Sequence, residues 1–330
     1  MDPNSSGNGG SGTDPLAKGS ISLRLYPHDV PALAQVDELR AQARLAIEVG
    51  YDGVMVSEHH AGFAGYLPNP HQMIAFLLPV MPRGWAAASP ILLPMLPYAL
   101  LAEQLAWLAV AYPGRVGAGF GSGSLPVDFE LAEVPFAEIT DRFKAALPKI
   151  VAALRGEDPT PLGGDRAIRA CKERPVPMCV AAQSKPAVRR AANLGIGVLY
   201  NSLQTNDVSR RMSDTYDEAG GTAPKILVRR VWIGDAPEAA IQAQIDHYKT
   251  YATENAMKSW GPDNSTIRAR TGEELAELLA ATIEESGCDA INVRVHVKDL
   301  RPDQVRQQLE LHATEFLPHL RAAWSGAAVA

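Results

Sequence analysis

The segment at residues 114–124, GRVGAGFGSGS, is a β-rich run that ends in a glycine-rich turn. Open dinucleotide-binding sheets begin their phosphate loop in this way, so the glycine spacing separates two architectures. The glycines fall at 117, 119, 121 and 123, which puts the third glycine of a GxGxxG pattern on Ser122 or Ser124. The next residues are LPVDFE rather than a capped helix. The fingerprint therefore fails on spacing and on context. What remains is backbone bare enough for a flat ligand to approach, with Ser122 and Ser124 as hydroxyl donors, or tight packing at the mouth of a barrel.

Seven further runs share the strand character of 115–121: 21–26, 53–57, 85–93, 177–182, 197–201, 226–233 and 290–297. Between them lie segments with apolar residues at three- and four-residue spacing, among them 36–49, 100–110, 136–154, 186–194 and 304–316. Breakers stand where such helices should stop, at Gly50, at Pro113-Gly114 and at Gly195. Eight βα pairs in roughly 300 residues predict a (β/α)8 TIM barrel rather than an open doubly wound sheet.

The barrel is expected over 21–330 as a single domain, although 330 residues would also accommodate two average domains. Residues 1–20, MDPNSSGNGGSGTDPLAKGS, lack an apolar core and are expected to form a disordered leader or tag. Two connections exceed ordinary loop lengths, 156–175 and 251–271. The second follows the seventh strand, on the side where barrel active sites lie, and is the candidate lid.

An apolar fraction of 46% and a charged fraction of 21% are those of a soluble globular protein. A formal net charge of -6 argues against nucleic acid or an anionic membrane as partner. Cys171, Cys179 and Cys288 are odd in number and scattered, and no CxxC occurs, which suits a reduced, cytoplasmic setting. No apolar run is long enough to span a bilayer.

Three other stretches carry candidate chemistry. SEHH, residues 57–60, ends the second strand, where barrel side chains face the site, so Glu58, His59 and His60 are candidate catalytic groups. Adjacent side chains leave a strand on opposite sides, so the two histidines are poorly placed to share a metal, and none is expected. VAAQSKPAVRRAANLG, residues 180–195, leaves the fifth strand through Gln183 and Ser184 into a helix with Pro186 in its first turn. Ser184 suits an N-cap, and amides at such a terminus suit a phosphate; Lys185 adds charge, while Arg189 and Arg190 read as a solvated face. Ser89-Pro90 stands inside a predicted buried strand, where a bulge or a cis peptide accommodates the proline.

Taken together and in order, SEHHAGF, Asn69-Pro70, SPILLP, AEQ, Gly114-Arg115, Asp128-Phe129, AAQS and the helix ending near Tyr216 resemble bacterial luciferase and the wider luciferase-like flavin-dependent monooxygenases. The resemblance implies a barrel that binds FMN at its C-terminal mouth and uses reduced flavin with O2 on a small organic substrate. It implies that His59 is the acid/base group near the flavin, with His60 its neighbour and Glu58 a supporting carboxylate. Ser89-Pro90 matches the cis peptide under the flavin ring, Gln183 and Ser184 the phosphate positions, and Asp128 an acid near the pocket. Gly121, Ser122 and Gly123 stand in the cofactor-binding turn of strand four. The chain departs from the luciferase α subunit there, with Gly121 and Ser122 in place of a reactive cysteine and an arginine, and with Ser202 in place of a tryptophan after strand six. The missing arginine bears on the phosphate positions, and the missing tryptophan argues against long-chain aldehydes and light emission.

No nicotinamide fingerprint is visible, so a separate flavin reductase is the expected electron donor, and family precedent points to a homodimer. Two alternatives stay open. One is hydride transfer with the deazaflavin F420, whose enzymes share the barrel; the other is a non-catalytic flavin-binding protein or subunit.

Overall fold

The computed structural model describes residues 13–251, 257, 260, 266–327. Among the described residues there are nine strands: β1 (Ile21–Arg24), β2 (Gly53–Val56), β3 (Trp85–Leu92), β4 (Val116–Gly121), β5 (Met178–Ala181), β6 (Gly197–Tyr200), β7 (Lys225–Ile233), β8 (Thr266–Ala269) and β9 (Ala290–Arg294). All pairings among them are parallel, and β1 through β7 with β9 close on themselves because β9 pairs with both β7 and β1. The result is the eight-stranded barrel that the βα alternation predicts, with helices between the strands.

The ninth strand, β8, was not expected. It pairs with Arg230–Ile233, the C-terminal part of β7, and occupies the end of the segment read as a lid. The rest of that segment is described only at Tyr251, Met257 and Trp260; residues 252–256, 258–259 and 261–265 lie outside the described residues. Trp260 forms an antiparallel bridge with Gln204, beside the end of β6. The other long connection, 156–175, is not structureless either. It holds a single helical turn at Pro161–Gly164 and a helix at Arg166–Ala170 capped by Asp165, whose carboxylate accepts from the Ala167 and Ile168 amides.

The predicted helix ends hold where glycine relieves a left-handed residue. Helix Ala32–Val49 stops at Gly50, whose φ is 113°. Leu23, Val54, Val56 and Ile291 face the surrounding helices in the main core, whereas Met55, Trp85, Ala87, Cys179, Leu199, Ile226, Val228 and Ala290 fill the barrel itself. This is the two-residue period of a strand with both faces covered.

Leu16 belongs to that inner cluster and is 2% exposed, and the Gly19 amide donates to the Asp289 carbonyl. The expectation of a leader outside the fold therefore fails for residues 13–20. Glycine- and serine-rich sequence around one leucine gave no period to detect, yet the leucine closes the N-terminal end of the barrel. Residues 1–12 lie outside the described residues.

Candidate active site

At the C-terminal ends of the strands is a cavity of about 550 Å³, a volume suited to a small cofactor and substrate. Its floor and walls come from Arg24 and Tyr26 after β1, Glu58 and His59 after β2, Pro90 in β3, Gly121 to Ser124 after β4, Gln183 and Ser184 after β5, and Asn201 and Ser202 after β6.

The β2 end is the most organised part. His59 Nδ1 lies 2.8 Å from Asp128 Oδ2, and the other oxygen, Oδ1, accepts from the His60 amide at 2.8 Å. Asp128 is fully buried in the first turn of helix Pro126–Leu131. A carboxylate accepts, so Nδ1 donates and Nε2 is left to accept or deliver a proton on the cavity side. Phe63 and Tyr66 pack on the imidazole with ring centroids 5.0 and 4.5 Å away. One side chain thus fixes both the ring and the backbone that carries it.

Glu58 and His60 form a second pair. His60 Nε2 is 3.1 Å from Glu58 Oε1, while Glu58 Oε2 accepts from the Leu92 amide at 2.5 Å, tying the end of β2 to β3. The Glu58 hydrogen bond raises the His60 pKa above its usual value, against the opposing effect of burial.

Several sequence expectations change here. His60 does not line the cavity; its ring turns to Glu58, the opposite-side placement of neighbouring strand residues. Asp128 does not line it either and acts through His59. The Ser89–Pro90 peptide is cis, and Pro90 forms part of the cavity surface. Ser89, in contrast, is wholly buried, with Oγ 3.5 Å from Cys179 Sγ and its carbonyl accepting from Arg24, and it does not line the cavity. A helix does follow the β4 turn, at Pro126–Leu131, without a capping side chain.

Gly121, Ser122 and Gly123 all border the cavity as expected. A Cβ on Gly121 would stand 3.2 Å from Pro90 Cβ. Gly123 has a φ of 81°, and a side chain there would collide with Phe129. Gln183 and Ser184 also border it, with Ser184 at the N-cap position of helix Lys185–Asn193 but making no side-chain capping bond. Arg190, read from the sequence as a solvated face, instead lines the cavity one turn into that helix. Together they give an amide terminus and a cation on one wall, a donor set that suits a phosphate.

The β1, β7 and β9 side was missed by sequence reasoning. Arg24 donates from Nε to Asn292 Oδ1 at 2.6 Å and from Nη1 to the Ser89 carbonyl at 3.1 Å. The Arg294 guanidinium lies 3.9 Å from the Tyr26 ring centroid, and its Nη2 donates to the Tyr248 hydroxyl at 3.2 Å. That hydroxyl is 3.2 Å from the Tyr66 hydroxyl. Burial and the neighbouring Arg294 push Arg230 down to about 10. A signal existed: arginines interrupt otherwise apolar strand runs in ISLRLY, ILVRRVW and INVRVHV.

A parallel barrel with its cavity and a buried acid-histidine pair at the C-terminal mouth fits the luciferase-like fold. The chain belongs to the luciferase-like monooxygenase family, whose model matches residues 18–317. It is 30% identical over 199 residues to the F420-dependent glucose-6-phosphate dehydrogenase of Microbacterium testaceum, a match covering 54% of this chain and 58% of the relative. The chain spans about half the length of the curated relatives it matches. Among solved structures it is similar to the monooxygenase RslO1 of Streptomyces bottropensis, with a TM-score of 0.73 at 19% identity over 91% of this chain and 99% of that one. It is also similar to the oxygenating constituent of 3,6-diketocamphane monooxygenase of Pseudomonas putida in complex with FMN, with a TM-score of 0.68 at 19% identity over 91% and 98%. At these identities the structures speak for the fold. Among the described residues no helix is long and apolar enough to cross a membrane.

Proposed function

We propose that this chain is a monooxygenase that uses reduced FMN and O2 on a small organic substrate, with a separate reductase supplying the reduced flavin. The observation that carries the reading is His59, held through Nδ1 by a buried Asp128 with its other nitrogen left for the cavity. Pro90 and the bare backbone of Gly121 would support a flat ring system, and the first turn of helix Lys185–Asn193 with Arg190 would hold its phosphate. When bound, reduced FMN supplies the two electrons with which O2 is split between product and water. That reaction needs protons delivered in order, and His59 is placed to deliver and recover one at Nε2. Phe63, Tyr66 and the Leu92 wall limit water near the imidazole.

Hydride transfer with F420 is the second reading, and the identity to an F420-dependent dehydrogenase favours it. There His59 would take the proton of a substrate hydroxyl. Reconstituting the purified chain with each cofactor separates the two: FMN binding with substrate-dependent O2 uptake supports the first reading, and retention of F420 with bleaching of its absorbance supports the second. Self-association as a homodimer is part of the proposal, because helix Tyr98–Ala111 exposes Leu100, Trp107 and Val110 at 53%, 52% and 43%.

A further inference from the structure

Three arginines stand at one level on neighbouring strands. Arg230 of β7 pairs in register with Arg294 of β9, and Arg24 of β1 comes one step beyond the Leu23–Val293 pair. All three are buried. Among the described residues their hydrogen-bond partners are neutral: the Asn292 side chain, the Ser89 and His296 carbonyls and the Tyr248 hydroxyl. Among the described residues Arg230 has no partner for Nε, Nη1 or Nη2, and Arg24 has none for Nη2. Buried cations are ordinarily paired, because the lost hydration must be replaced by an opposite charge. Here like charges are set side by side instead.

We propose that this corner is the subsite for an oxyanion on the substrate, a carboxylate or sulfonate head group. Its oxygens take the unpartnered N–H groups of Arg24 and Arg230, and Arg294 adds its charge from the strand between them. Arg24 lines the cavity directly; Arg230 and Arg294 do not, and Tyr26 and Tyr66, which do, stand against the Arg294 guanidinium and the Tyr248 hydroxyl, so entry requires a phenol ring to turn. The cofactor's own phosphate has a different place: Ser184 and Arg190 follow β5, which is diametrically opposite β1 in the order of the closed barrel. The inference rests on the reading of this cavity as the substrate site.

The test uses the full-length chain without flavin, so that a chain which binds FMN but no oxyanion fails this inference alone. Thermal melting is followed against acetate and methanesulfonate at constant ionic strength, with acetamide and dimethyl sulfone as neutral counterparts and inorganic phosphate as a third anion. The Tm should rise with at least one organic anion and with neither neutral compound. Arg230→Met should melt no lower than wild type without anion, since a buried charge with no side-chain partner among the described residues is removed, and both it and, separately, Arg294→Met should weaken the anion response about tenfold or more. Should Arg230→Met not fold, Arg230→Lys and direct calorimetric titration of the wild type carry the same comparison. Equal responses of wild type and variants overturn the proposal, as does a response to the neutral compounds or to phosphate alone. A tyrosinate absorption band in the wild type at neutral pH, lost in Arg294→Met, also overturns it, because the counter-charge would then be a phenolate of the protein itself.

Discussion

On the β2 and β4 side of the mouth both carboxylate oxygens of Glu58 and of Asp128 have a donor, whereas on the β1, β7 and β9 side none of the three Arg230 guanidinium nitrogens has a partner among the described residues. On the first side the two carboxylates are each satisfied by protein donors. Its acids, amides and imidazoles hold one another in place, which is what proton transfer from a fixed position requires. The second side keeps charge in reserve at a cost in stability. On the proposed reading, proton handling falls to one wall and the choice of substrate to the other.

The comparison can be broken most sharply at His59. His59→Ala should lower kcat by about 100- to 10,000-fold while leaving FMN affinity within about threefold, measured by turnover and by flavin titration. Asp128→Asn keeps the shape of the buried side chain but replaces an acceptor with a partial donor, so it should move kcat in the same direction; unchanged turnover would show that the His59 ring orientation does not matter. A smaller loss is expected from Glu58→Ala, which leaves the Leu92 amide without its acceptor. Urea unfolding should show a loss of roughly 1–3 kcal/mol. Gly123→Ala places a side chain at positive φ against Phe129 and should cost at least about 1–2 kcal/mol in the same assay.

The smallest effect concerns pH. The folded-state pKa of His60 is raised by Glu58, so its contribution to stability is fully present below the unfolded value of about 6.5 and is lost as pH rises through the higher folded value. Wild type should therefore lose a little stability relative to His60→Gln as pH rises from the acid side of neutrality to the alkaline side. Parallel stability–pH curves for the two proteins would remove this assignment.

Much of the fold was legible because eight strand runs and their glycine stops are local patterns. β8 was not, since TIRA is four residues with mixed burial, following a stretch that contains Asn255, Gly261, Pro262, Asp263 and Asn264. Leu16 was missed for a related reason: one apolar residue among glycines and serines carries no period. His59 was legible from its place at a strand end, and Asp128 from the resemblance, but their contact joins residues 69 positions apart and needed three dimensions. Arg190 needed the pitch of its helix relative to the cavity wall. The arginines at 24, 230 and 294 needed strand register; without it each is one charge in an apolar run.

The most direct test of the central claim is equilibrium binding of reduced FMN under anaerobic conditions, followed by admission of O2 in the presence of substrate candidates. The account predicts stoichiometric binding, its loss in Gly121→Val, where a side chain would press on Pro90 and fill the ring position, and retention in His59→Ala without product. Binding that survives Gly121→Val unchanged, or product formed at the wild-type rate by His59→Ala, would contradict it.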